Sequence, residues 1–88
     1  MDIYDFQWSG KVIIKVVSKH NVLPEEVEQV FRNKHFVKRQ KNVLLAYGKS
    51  ISGRYLFVVF QRKGANQLKL ITARDMTKKE RKLYRRRI

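Results

Sequence analysis

The sequence predicts an α+β fold in which helices pack on a twisted antiparallel sheet. Three features point to it. Val27, Val30 and Phe31 recur at helical spacing behind Pro24. From residue 36 to 74 short apolar runs are separated by polar links, as in a meander of strands. Thr77-Lys78-Lys79-Glu80 then has the form of a capping box, which opens a helix.

In chain order, Ile3, Tyr4, Phe6 and Trp8 make a short alternating stretch, a first strand over residues 3–8. Ser9 is suited to cap a helix over residues 10–20. Local preference disagrees: Val12, Ile13, Ile14, Val16 and Val17 are all β-branched, and propensity alone makes this segment a strand. The next helix spans 24–33. Pro24 fits its first turn, and Glu25, Glu26 and Glu28 fit its positive N-terminal end. Strands follow at 36–39, 42–47, 55–61 and 68–74, with the 55–61 run the richest in aromatic and β-branched residues. The links 48–53 and 63–67 contain glycine and polar groups and imply antiparallel neighbours. The last helix covers 78–86, with Leu83 and Tyr84 turned inward and Arg85-Arg86-Arg87 outward.

Eighty-eight residues suit one domain, residues 1–88. Cysteine is absent, so no disulfide or thiolate metal site is available. His20 and His35 are the only imidazoles, too few for a metal cluster, and no cofactor is implied. The acidic start of the chain lacks the form of a signal peptide, and the longest apolar run, Leu56 to Phe60, is far short of a membrane span. The expectation is a cytoplasmic protein with no membrane partner.

Charge is the strongest compositional signal. Lys and Arg number 21 against seven Asp and Glu, a net charge of +14 at pH 7. Residues 1–33 hold four basic and five acidic groups, while residues 34–88 hold 17 basic and two acidic. Nearly all the field comes from the second part, which points to a polyanion, nucleic acid before membrane. An acidic protein would suit the same charge.

At residues 67–84 the sequence resembles a known family. Ile71-Thr72-Ala73-Arg74-Asp75-Met76-Thr77, followed by Glu80, Arg81 and Tyr84, is similar to the C-terminal signature of BrnT-type toxins. Gly53-Arg54-Tyr55-Leu56-Phe57-Val58-Val59 resembles the family's glycine–arginine strand. Phe6-x-Trp8, Lys19-His20-x-Val22 and Pro24-Glu25-Glu26-Val27 resemble its N-terminal half. The resemblance implies a RelE-like fold with residues 10–20 helical, against local propensity. It also implies an endoribonuclease acting on mRNA and a small antitoxin encoded nearby, with the toxin–antitoxin complex binding operator DNA. One departure bears on the strength of that activity. Ser9, Val12, Val16 and Val17 stand where family members usually carry an acidic residue after the tryptophan and polar groups along the first helix.

RNA can be cut without a metal because its own 2′-OH is the nucleophile. The protein must help remove that proton, stabilise charge on the phosphate and protonate the leaving oxygen. Arg54 opens one strand and Arg74 ends the next, and in an antiparallel hairpin these ends are neighbours, so the two guanidinium groups are expected to converge on one phosphate. His20 is an acid or base by type. Tyr84 is a proton donor or a platform for a base, though its helix spacing also suits the core. Lys19, Arg81, Arg85, Arg86 and Arg87 are candidate phosphate contacts, and Glu80 can orient an arginine as well as cap the helix. Two other readings stay open: a catalytically degenerate homologue that binds nucleic acid or antitoxin, and a structural partner of an acidic protein.

Overall fold

The computed structural model describes residues 5–88. The elements run β1 (Asp5–Gln7), α1 (Gly10–His20), α2 (Pro24–Arg32), β2 (His35–Gln40), β3 (Val43–Lys49), β4 (Tyr55–Arg62), β5 (Gln67–Asp75) and α3 (Lys78–Arg87). They form one five-stranded sheet in the order β1-β5-β4-β3-β2. Strands β2 to β5 are the expected antiparallel meander. Strand β1 pairs in parallel with β5, so the sheet is mixed rather than wholly antiparallel. The chain can return in parallel because α1, α2 and three strands intervene, the long crossover that a parallel pair requires. The predicted first strand is shorter than its sequence pattern: Ile3 and Tyr4 lie outside the described residues.

The segment that local preference makes a strand is helix α1. Ser9 caps it, its side chain accepting from the Val12 N–H at 3.1 Å. Asn21 ends it in the left-handed region at φ 53°, with Asn21 N–H donating to Val17 O and Val22 N–H to Val16 O. The bond from Asn21 N–H to Val17 O is that of an αL-type stop, for which Asn is suited. Five β-branched residues cost roughly 0.5 kcal/mol each in a helix. Full burial of a valine returns about 1.5–3 kcal/mol. Val16 is fully buried, Val12 packs on the same core, and the two caps add to that. Tertiary packing therefore wins over propensity. Ile14, on the outer face, stays 69% exposed.

Helices α1 and α2 cover one face of the sheet. Val16, Val22, Val27, Val30 and Phe31 meet Ala46, Leu56, Val58, Phe60, Leu68, Leu70 and Ala73 there, with Phe6 and Trp8 at the edge. Helix α3 lies on the opposite face, where its Tyr84 and Leu83 pack with Leu45, Tyr47, Phe57 and Met76, with Phe36, Val43, Tyr55 and Val59 around them. Between Val59 and Phe60 the β4–β5 register shifts: Val59 faces Thr72, Phe60 faces Leu70, and Ile71 has no opposite number. This one-residue bulge reverses which β5 side chains face which layer.

Gly48 on β3 lets α2 approach closely. A Cβ there would lie 2.8 Å from Val30 Cγ1 and 3.0 Å from His35 Cβ, both packed groups. Gly48→Ala should therefore lower stability by about 1–3 kcal/mol, the usual cost of overpacking. A denaturant titration measures it, and a midpoint equal to the parent's would show that α2 is not held against β3.

Candidate nucleic-acid interface

The two arginines expected to converge do not. Arg54 reaches into the layer of α1 and α2, and Arg74 lies on the α3 side. The bulge at Ile71 is the physical reason. Below it, Leu68 and Leu70 face the α1/α2 core; above it, Ala73 takes that face and Arg74 is turned to the other. Without the extra residue, Arg74 would share the face of Leu68, Leu70 and Arg54.

Arg54 is fully engaged by its own chain. Its Nε and Nη2 donate to the Asp75 carboxylate at 2.6 and 3.0 Å. Nη1 donates to Glu26 Oε1 at 3.1 Å and to the Asn21 carbonyl, and Nη2 also to the His20 carbonyl at 2.9 Å. Those are all five donors of a guanidinium. The turn before it positions it: Gly53 takes φ +89°, a value favouring glycine, and the Arg54 N–H is held by Ser50 Oγ at 3.2 Å. The bond to Asp75 and the neighbouring carboxylates raise the Arg54 pKa against the opposing effect of burial. His20 is at this same corner, near enough for its charge to act on Asp75. Lys19 is exposed in the last turn of α1.

Arg74 is differently placed. Its Nη1 and Nη2 form a fork on the Glu80 carboxylate at 2.8 and 3.0 Å, and Nη1 also donates to the Asp75 carbonyl at 3.0 Å. Its guanidinium lies 4.3 Å from the centre of the Phe57 ring. Nε–H and one Nη2–H have no partner among the described residues. Glu80 thus does both things expected of it. It accepts from the Thr77 N–H at 2.8 Å, completing the capping box, and it orients Arg74.

Tyr84 is a core residue with a polar tip. It is 6% exposed, and its hydroxyl donates to the Lys34 carbonyl at 3.0 Å, pinning α3 to the start of β2. Burial raises its pKa, with a smaller push from Tyr55. Sequence reasoning missed Tyr55, which sits edge-on to Tyr84 with ring centres 5.9 Å apart. Three cations surround the Tyr55 ring: Lys49 Nζ at 5.1 Å, Arg81 at 5.3 Å and Arg85 at 5.7 Å from its centre. Arg85 at its hydroxyl, then the charge of Lys49, hold its pKa below the ordinary phenol value. The available signal was period two: Tyr55 and Phe57 share a face, about 7 Å apart along the strand. Arg87 stands 5.8 Å from the Phe36 ring, and Arg86 is exposed.

Two grooves flank this cluster. One, of about 460 Å³, is lined by Val43, Leu45, Phe57 and Val59 with Gln40, Lys41 and Asn42. The other, of about 400 Å³, runs between Lys34, Lys49, Ile51 and Tyr84. The face offers apolar and aromatic floor for bases and cations for phosphates, the combination that single-stranded nucleic acid requires. Among the described residues no three His, Asp or Glu side chains gather as a metal site would need, and no helix is long and apolar enough to cross a membrane.

Two of the carboxylates in these arginine pairs, Asp75 and Glu80, titrate low. The Arg54 bond pulls Asp75 down against burial. Burial pushes Glu80 up, but its bonds from Arg74 and Thr77 outweigh that and leave it lowered. A carboxylate depressed in the folded state stabilises the fold above its unfolded pKa, and the contribution is lost as pH falls through the folded value. Thermal melts should therefore lose midpoint as the buffer is taken below the ordinary carboxylate range. Asp75→Asn should flatten that loss; the parental acid slope in this variant would show that Asp75 does not carry it.

Comparison with known proteins agrees with this layout. No curated protein matches the chain. The crystal structure of the Brucella abortus ribonuclease toxin BrnT, at 1.1 Å resolution, superposes with a TM-score of 0.68 at 19% identity, covering 86% of this chain and 100% of that one. At that identity the likeness is one of fold. The family model for the ribonuclease toxin BrnT of type II toxin–antitoxin systems matches residues 9–80, most of the length described above, and the chain accordingly belongs to the BrnT toxin family.

Proposed function

We propose that the chain is the toxin of a type II toxin–antitoxin pair and an endoribonuclease that cuts mRNA without a metal ion, working from the α3 face as one domain. The observation that carries this reading is Arg74, stacked on Phe57 and aimed by Glu80, with two N–H groups left to give. Preorganised donors of this kind are what the extra charge on a pentacovalent phosphate needs. Lys49, Arg81 and Arg85 would hold the flanking phosphates, and Arg86 and Arg87 would add less specific attraction. Arg54, with His20 beside it, belongs in this reading to the framework, since its donors are occupied by the protein itself. Lys19 can steer RNA only toward the other side of the sheet.

The family supplies the partner class: an antitoxin, here encoded nearby, whose complex with this chain would bind operator DNA in the cytoplasm. The departures on the first helix favour a second reading, a homologue that binds but does not cut. Against it, Val16 points into the α1/α2 core and Ser9 caps α1, so neither substitution removes a group from the α3 face.

Two measurements test the proposal. Cleavage of RNA by the purified protein should survive EDTA and leave 2′,3′-cyclic phosphate ends, and Arg74→Ala should slow it by about 10²–10³. Arg74→Lys should not restore the parental rate, because a point charge cannot copy the fork on Glu80. Parental rates in both variants would exclude Arg74 from the chemistry. In cells, induction should arrest growth, and co-expression of the adjacent antitoxin should relieve the arrest. Uninterrupted growth with the folded protein present would favour the binding-only reading.

A further inference from the structure

Cleavage by the 2′-oxygen creates a second demand besides charge stabilisation, because the 5′-oxygen must leave with a proton. The α3 face presents three described tyrosines to any RNA lying there, and they are not equivalent. Tyr47 is 5% exposed and its phenol is raised, by burial first and then by Glu80. Tyr84 is 6% exposed and its hydroxyl is donated to the Lys34 carbonyl. Tyr55 alone of the three stays partly open to solvent. Its ring is fixed edge-on against Tyr84, its carbonyl accepts from the Met76 N–H at 3.1 Å, and it stands one same-face position along β4 from Phe57, which carries Arg74.

We propose that Tyr55 is the general acid that protonates the 5′-oxygen leaving group. The assignment rests on the ribonuclease reading above. In the step, the 2′-oxygen bonds to phosphorus and its proton passes to solvent water. The bond from phosphorus to the 5′-oxygen breaks, and that oxygen takes the proton from the Tyr55 hydroxyl. The products are a 2′,3′-cyclic phosphate, a 5′-hydroxyl and a Tyr55 phenolate, which is reprotonated from water. Arg74, held over the Phe57 ring one same-face position along β4, is left to hold the non-bridging oxygens.

The surroundings suit an acid rather than a base. Among the described residues, the charged groups at the ring are cations: Lys49 from β3, and Arg81 and Arg85 from α3. On the β5 side the neighbour is Met76, and Tyr84 completes the enclosure. Such a setting stabilises the phenolate that proton donation produces, and the lowered pKa has the same origin. A phenol more acidic than usual is matched to donating.

The test uses Tyr55→Phe, which keeps the ring, and two oligoribonucleotides that differ in one atom. One has the ordinary 5′-oxygen at the scissile phosphate and the other has sulfur there. A thiolate leaves without protonation because its conjugate acid is far stronger than an alcohol. On the oxygen substrate Tyr55→Phe should fall by about 10²–10⁴ relative to parent. On the sulfur substrate the two proteins should cut at matching rates, which also shows that the variant is folded and binds RNA. The parent's rate on the oxygen substrate should decline at alkaline pH with a break below the ordinary tyrosine value, and Tyr55→Phe should lack that break. An equal loss on both substrates would make Tyr55 a binding residue and overturn the assignment, as would an unchanged rate on the oxygen substrate. If Arg74→Ala abolishes cleavage while Tyr55→Phe does not, the ribonuclease reading stands without this acid. A parent that cuts neither substrate overturns both.

Discussion

Arg54 is the junction on which the rest of the architecture depends. Its guanidinium ties the end of β5 through Asp75, the end of α1 through the His20 and Asn21 carbonyls, and the start of α2 through Glu26. Two of those ties satisfy carbonyls at a helix C-terminus that have no intrahelical donor. The charge itself sits between two carboxylates, so neither is left half-buried and unpaired. Because this corner is closed, β4 begins and β5 ends at fixed points, and α3 leaves β5 two residues after Asp75 in a defined direction. The side chain that looks most like a phosphate ligand in the sequence is thereby the one that fixes where the α3 face begins.

Sheet parity then divides framework from surface. Arg54 and Tyr55 are adjacent in sequence and on opposite faces. Glu80 joins the same division to the helix: as the third residue of α3 it completes the capping box, and its carboxylate forks onto Arg74. Start of helix and aim of arginine are therefore one structural fact. Losing the carboxylate would loosen both at once, so a substitution at Glu80 cannot separate helix stability from arginine geometry, whereas Arg74 and Tyr55 can each be altered with the cap intact.

Much of the fold was legible. Helix α2 shows in Pro24 and its apolar stripe, α3 in Thr77 and Glu80, and the meander in runs broken by short polar links. What failed to show has physical causes. Helix α1 reads as strand because its residues are β-branched, and the burial of Val16 that decides the matter is a long-range fact; only the resemblance to BrnT toxins gave the right answer there. The parallel pairing of β1 depends on contact with residues 67–69, some sixty positions away. The faces of the two arginines turned on one unpaired residue, Ile71, which puts Leu68 and Leu70 on one face and Thr72 and Arg74 on the other. Tyr55 was hidden inside the strongest strand signal, where an aromatic reads as sheet former, while Tyr84 stood out at a helix end and proved to be core.

The distribution of charge follows from the same geometry. A run such as Arg85-Arg86-Arg87 should oppose helix formation by self-repulsion. Placed in the last turn of α3, however, these cations meet the negative end of the helix dipole. Arg85 and Arg87 also lie near the rings of Tyr55 and Phe36, which attract cations at their faces. The repulsion that remains is relieved only by something anionic from outside. On the proposed reading, RNA would supply that charge briefly, along the aromatic face. An acidic antitoxin segment over the same cations would supply it durably and would deny RNA the surface in doing so. On that reading, the field that would concentrate RNA is also the reason an inhibitor need only be acidic and correctly shaped to compete.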